Sequence, residues 1–247
     1  MSMKTSLPLC CSNLDDGWPW RQPLPGLQLI SLDFDPDQLR PGDFRDCEIL
    51  PPAAVQRARG KRQTEYLAGR LCAREALQRL TGEGIVPETG HDRAPRWPAD
   101  CVGSITHSQG KAAAIVGARQ HYAGVGLDLE ITMTDARARK LAGQILTADE
   151  HTRAADAMAA APGLCLTRIF SLKESLFKAL YPITGQRFYF EHAEVLETPS
   201  EGHSRLRLLK SLSDDWPAGA VIDAQYTEHD DHILSLIAIP AGPAPTP

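Results

Sequence analysis

The chain has 247 residues, of which 43% are apolar and 23% charged, and its net charge is −5. Such a composition belongs to an ordinary globular protein, long enough for one large domain or two small ones. The acidic balance excludes a general nucleic-acid binder, although it leaves room for a local basic pocket.

Residues 1–50 are rich in proline and turn-forming residues and are expected to be mostly irregular. Pro51–Pro52 can open a helix, and the pattern from Ala53 to Leu80 is helical. Between residues 57 and 79 this segment carries Arg57, Arg59, Lys61, Arg62, Arg70, Arg74 and Arg79 against only Glu65 and Glu75. A solvated helix face in an acidic protein does not require that surplus, so an anionic ligand is a fair hypothesis. "TGEGIVPETGHDRAPRWP" then reads as a long loop.

Strand-like runs follow at 101–107, 112–118 and 124–131, with a turn near Gln109–Gly110. "GSITHSQGK" is not a phosphate loop, because six residues separate its glycines and Ala112 follows the lysine. Thr147 and Glu150 form a capping box that opens a helix, which Pro162–Gly163 interrupts before the next one. After Pro182 come four more strand-like runs, 188–197, 204–210, 220–227 and 233–239. "HDDH" at 229–232 lies between two of them and reads as a polar hairpin turn rather than a metal site. The tail "PAGPAPTP" is expected to be disordered.

The order is helix then strands, twice. It predicts an α+β fold of two related halves, residues 1–123 and 124–247. Cysteines 10, 11, 47, 72, 101 and 165 show neither C-x-x-C nor zinc-ligand spacing, which favours reduced thiols and a cytoplasmic protein. The first residues hold an apolar run too short for a signal peptide, and no run approaches the roughly 18 residues of a membrane helix.

Two stretches carry chemistry. In "GVGLDLEI" (124–131), Val125, Leu127, Leu129 and Ile131 point one way, and Gly124, Gly126, Asp128 and Glu130 the other. A solvated acidic face would account for the carboxylates. Gly and Asp are nevertheless poor strand residues, and two carboxylates on one face can share a cation such as Mg²⁺. The glycines leave room for a ligand or for another backbone.

In "FSLKESLFKAL" (170–180), Lys173 falls near the centre of an apolar stripe formed by Leu166, Ile169, Phe170, Leu176, Phe177 and Leu180. A buried ammonium needs a partner. Its head either snorkels outward or meets a fixed anion, and the expectation is that it emerges at a site. Glu174 and Lys178 have the spacing of a surface ion pair. They also suit a metal ligand, or a base, beside a phosphate clamp. His107, at a strand end, is by default structural and otherwise a phosphate donor.

Together "KRQTEYLAGRLCAREAL", "DRAPRWP", "GSITHS", "GVGLDLE" and "FSLKESLFKA" resemble, in order, the motifs of the Sfp-type 4′-phosphopantetheinyl transferases, in the enterobactin-synthetase D branch and nearest its PcpS-type members. The resemblance covers nearly the whole chain. It implies a pseudo-twofold arrangement of two similar α+β halves with coenzyme A at their junction. It implies transfer of 4′-phosphopantetheine to a serine of an apo acyl, peptidyl or aryl carrier protein, with release of adenosine 3′,5′-bisphosphate. Asp128, Glu130 and Glu174 match the family's Mg²⁺ carboxylates, and Lys173 and Lys178 match the helix facing the pyrophosphate. His107, with Thr106 beside it, matches a phosphate contact. Arg62 and Arg70 match arginines on the adenosine bisphosphate end, and Arg93 is assigned there as a further cation.

Glu174, Lys178 and His107 are the implied catalytic groups, with Glu174 taking the serine proton directly or through a water on the metal. A monomer is implied. Ser108 stands where the branch often has Cys, and Leu172 where related sequences have Ala or Met. Two rivals share these residues: a Mg²⁺-dependent pyrophosphatase, and a non-catalytic carrier-binding module that keeps coenzyme A as a structural ligand.

Overall fold

The proline-rich first fifth of the chain holds more regular structure than its composition suggests. In the computed structural model, which describes residues 7–197 and 202–242, strands β1 (Cys11–Asp15) and β2 (Gln28–Phe34) pair antiparallel there. Most of the described residues before residue 50 are irregular, as expected, but this strand pair is not read from the composition. The cause is visible in β2, where Ile30, Leu32 and Phe34 alternate into the core, a period-2 signal framed by turn residues. The tail expected to be disordered lies outside the described residues from residue 243 onward.

The fold consists of two compact units. The first runs to Trp18 and resumes over Pro25–Ala118; the second takes Pro19–Leu24 and what is described from Arg119 on.

In the first unit two short helices, α1 (Asp43–Asp46) and α2 (Ala53–Gln56), precede the 22-residue helix α3 (Gly60–Thr81). The helical segment expected over 53–80 is therefore broken. Arg59 is extended, and the Gln63 side-chain amide donates to the carbonyls of Gln56 and Ala58, which the break leaves without helical partners. The expected long loop contains a small hairpin, β3 (Glu88–Thr89) with β4 (Pro95–Arg96). β5 (Cys101–Ser108) and β6 (Lys111–Ala118) form a hairpin with its turn at Gln109–Gly110. The sheet order is β1-β2-β6-β5, and α3 lies across β2, β6 and β5.

The second unit opens with β7 (Tyr122–Ile131), followed by α4 (Asp135–Ile145), α5 (Ala148–Arg153), α6 (Ala155–Ala160) and the 23-residue α7 (Pro162–Thr184). The Thr147–Glu150 capping box opens α5. α7 begins at Pro162, where a missing N–H is harmless, and continues through Pro182 into its last turn. Of the run 188–197, only β8 (Ala193–Val195) is strand, after a 3₁₀ turn at Phe190–His192. β9 (His203–Leu208), β10 (Val221–His229) and β11 (His232–Pro240) complete the sheet β7-β11-β10-β9-β8. The "HDDH" segment is the β10–β11 turn, with His229 paired to His232.

Each unit follows one path: a strand, a helical segment ending in a long helix, then a hairpin whose last strand returns to the first, β6 to β2 and β11 to β7. This is the α+β architecture of two similar halves. Each long helix covers its own sheet, and each unit has its own apolar core. Among the described residues no helix is long and apolar enough to cross a membrane. All six cysteines are buried free thiols.

Candidate functional site

α7 rests directly on β7, and two glycines permit it. A Cβ on Gly126 would lie 1.9 Å from the carbonyl oxygen of Ser175, and one on Gly124 would lie 2.5 Å from that of Ala179. The glycine face of the strand thus admits another backbone, one of the two possibilities open in the sequence. Hydroxyls fill the same seam. Ser171 donates to the Asp128 carbonyl at 3.3 Å, and the Ser171 and Ser175 hydroxyls meet that of Ser235 at 2.8 and 2.7 Å.

Close packing brings four chemically active side chains into one electrostatic group. Lys178 Nζ donates to Asp128 Oδ1 at 2.7 Å and to the Leu127 carbonyl at 3.0 Å. Asp128 is only 3% exposed, and its other carboxylate oxygen, Oδ2, is buried without a hydrogen-bond partner among the described residues. Glu130, farther along the same strand face, has its pKa pushed up to about 7 by burial and by the charges of Asp128 and Glu174, with Lys178 and Arg137 opposing. Glu174 is raised as well, by burial and then by Asp128, with Lys178 opposing. Three carboxyl groups around one ammonium are short of positive charge.

A hard dication suits this donor set. Among the described residues no group of three or more His, Cys, Asp or Glu side chains is placed to hold a metal ion. Mg²⁺ does not require one, because it usually takes one or two carboxylates and completes its shell with waters and substrate phosphates. The buried, unpartnered Asp128 oxygen is the observation that favours such an ion.

Lys173 does not join this group, and the expectation that its head emerges at the site is corrected. The residue is 3% exposed. Its ammonium donates to Glu150 Oε2 at 2.7 Å and to the carbonyls of Ile145 and Phe190 at 2.8 and 2.9 Å. All three N–H groups are thereby used inside the protein. The reason is helical geometry. Neighbouring residues diverge by roughly 100°, so when Ser171 and Ser175 face the sheet, Glu174 and Lys178 take one flank and Lys173 the far side. Burial lowers the Lys173 pKa, and the Glu150 carboxylate acts against that shift.

In the first unit, Arg62 Nη1 lies 2.8 Å from His107 Nε2. A guanidinium only donates, so Nε2 accepts and the ring proton sits on Nδ1. That side of the ring is 3.8 Å from Glu65 Oε2, which also lies 3.4 Å from Arg62 Nη1. Thr106 is buried on the same strand. Arg70 is 5% exposed, stacks over the Tyr66 ring at 4.6 Å, donates to the Thr89 hydroxyl at 3.1 Å, and leaves Nε buried without a partner among the described residues. Burial lowers its pKa. Arg93 is exposed at the tip of the β3–β4 hairpin with φ of +73°.

Comparison with known proteins matches both units. The family model of the 4′-phosphopantetheinyl transferase N-terminal domain matches residues 50–117, and that of the 4′-phosphopantetheinyl transferase superfamily matches residues 124–236. The chain is 40% identical over 160 residues to enterobactin synthase component D of Escherichia coli (strain K12), covering 64% of this chain and 72% of that protein. It is 31% identical over 220 residues to the Salmonella typhimurium (strain LT2) protein of the same name, covering 87% and 88%. It is 37% identical over 163 residues to the 4′-phosphopantetheinyl transferase Svp of Streptomyces mobaraensis, covering 64% and 63%.

The chain belongs to the 4′-phosphopantetheinyl transferase superfamily. It is a transferase of the enterobactin synthase component D type. Two residues that shape this transferase's charged groups were not singled out as site residues in the sequence. Glu65 was counted only against a basic helix, and its spacing from Arg62 gave no hint of His107, which is 42 residues away. Glu150 was legible as a cap but not as the counter-ion of Lys173, because that pairing is tertiary.

Proposed function

We propose that this transferase moves the 4′-phosphopantetheine group of coenzyme A onto a serine hydroxyl of apo acyl, peptidyl or aryl carrier proteins and releases adenosine 3′,5′-bisphosphate, with Mg²⁺ required. A serine oxygen forms a bond to the β-phosphorus of the pyrophosphate, the bridging P–O bond breaks, and the serine proton passes to a base. The observation that carries the reading is the Asp128 carboxylate. One of its oxygens is on Lys178, the other is buried and unpartnered, and Glu130 and Glu174 stand beside it.

Phosphoryl transfer depends on positioning and charge neutralisation more than on covalent help. Asp128, Glu130 and Glu174 would hold Mg²⁺, which supplies charge neutralisation to the pyrophosphate when bound. Lys178, fixed by Asp128 and the Leu127 carbonyl, presents a point charge to phosphate oxygens. Glu174, whose pKa is raised by burial and by Asp128, is the base assigned to the serine proton. In the first unit, Arg62, Arg70 and His107 supply donors for the adenosine bisphosphate end, with Thr106 beside His107. The orphaned Arg70 Nε supports an anionic ligand there. Arg93 is exposed and is assigned to the same end.

Incubation with apo carriers from fatty-acid, polyketide and nonribosomal-peptide systems, coenzyme A and Mg²⁺ tests the reading by intact-mass analysis. One phosphopantetheine should be added per carrier. Unmodified carriers of every type would refute it, and bisphosphate released without a carrier would point to a hydrolase.

A further inference from the structure

We propose that Glu150 and Lys173 are positioning residues for transfer: their buried ion pair fixes the rotation of α7 and so aims Glu174 and Lys178 at Asp128. The inference rests on the transferase reading above and concerns residues that make no contact with the acid group.

Glu150 is 2% exposed and receives three donors: the Thr147 N–H at 2.8 Å, the Val195 N–H at 2.7 Å and Lys173 Nζ at 2.7 Å. Lys173 adds the carbonyls at the end of α4 and in the turn before β8. A single pair of charges therefore ties α4, α5, β8 and the Phe190 turn to one point on α7. That point is the residue immediately before Glu174.

The opposite side of α7 is held by the Ser171, Ser175 and Ser235 hydroxyls and by the carbonyl contacts over Gly124 and Gly126. Hydroxyl contacts and apolar packing tolerate small rotations, whereas three short ammonium bonds do not. A helix pinned on both sides cannot turn, so its flank residues keep one bearing over the strand. Stability alone does not explain the pair, since well-packed apolar residues often serve a buried site as well or better. Directional fixing of a helix is something apolar residues supply poorly.

The test uses E150Q/K173M, which removes both charges together, and compares carrier loading with wild type at a temperature where urea melts show the variant folded. We expect kcat to fall about tenfold or more, with KM for coenzyme A within about twofold. The same double change in an E174Q background should then cost less than it does in wild type, because part of its effect runs through Glu174. An unchanged kcat, or an equal loss with and without Glu174, overturns the proposal. If E150Q/K173M does not fold, E150D, which keeps the charge on a shorter arm, carries the same two comparisons. A wild-type protein that loads no carrier removes both the transferase reading and this one; wild-type loading with either overturning result removes this one alone.

Discussion

Lys173 Nζ and Glu150 Oε2 meet at 2.7 Å in the interior of the second unit, both side chains almost fully shielded from water. Removing one partner from such a pair leaves a buried charge uncompensated. K173M alone is expected to lose about 3–5 kcal/mol of stability, and E150Q/K173M to recover most of it. Urea unfolding of the three proteins measures this. Equal stability of K173M and wild type would mean that the ammonium contributes nothing.

Gly126 bears on the carbonyl of Ser175 so closely that a methyl group has no space. Gly126→Ala must push α7 off β7. Overpacking of this kind costs about 1–3 kcal/mol or more, and the displacement carries Glu174 and Lys178 with it. The variant should melt lower and load carriers more slowly even when folded. A folded variant with wild-type loading would show that the helix–strand spacing does not matter to the chemistry.

Asp128→Asn keeps the shape of the side chain and removes the charge that Lys178 and Glu130 both feel. Turnover should fall about a hundredfold or more, and raising Mg²⁺ should not restore it. Steady-state loading across a Mg²⁺ series is the measurement. Full recovery at high Mg²⁺ would reduce Asp128 to a weak contributor.

Arg70→Met replaces a buried guanidinium by a similar apolar length. If Arg70 grips an anionic end of coenzyme A, the rise in melting temperature that saturating coenzyme A gives wild type should shrink. The unliganded melting temperature should change little, since among the described residues the guanidinium loses the Thr89 hydroxyl and the Tyr66 ring. An unaltered coenzyme A shift would remove Arg70 from the binding set.

Glu194 accepts hydrogen bonds from both Arg153 and Arg207. Burial works to raise its pKa, but the two guanidinium groups outweigh it and hold the carboxyl below the ordinary glutamate range. Between the folded and unfolded pKa values the unfolded chain binds more protons, so the group's contribution is present above the unfolded value and is lost as pH falls through the folded one. Stability should decline below about pH 4.5, and E194Q should flatten that decline. An identical acid limb in E194Q would assign the loss to other carboxylates.

The parts of the fold legible in the sequence were those that local periodicity encodes. The alternation of "GVGLDLEI", the capping box at Thr147 and the turn at Gln109–Gly110 all stand where they were read. β2 was obscured because its alternating Ile30, Leu32 and Phe34 sit among turn residues, and α2 and α3 were merged because the break at Arg57–Arg59 depends on the Gln63 side chain. Within the candidate site, the residues of β7 and α7 could be named from spacing and resemblance. The direction of Lys173 could not. A helical wheel shows that a lysine lies in an apolar stripe, but only the tertiary fold decides which neighbour the stripe packs against, and here that neighbour brings Glu150.

The seam between α7 and β7 is built from glycine, serine and main-chain atoms. Large side chains, which are the parts of a core most often exchanged for one another, have little role in setting this gap. The distance between α7 and β7 is therefore inherited from the backbone itself. Apart from Lys173, the outer side of α7 can exchange apolar residues of similar volume, while the inner side tolerates almost none. The gap between helix and strand is in this sense insulated from drift in the rest of the sequence.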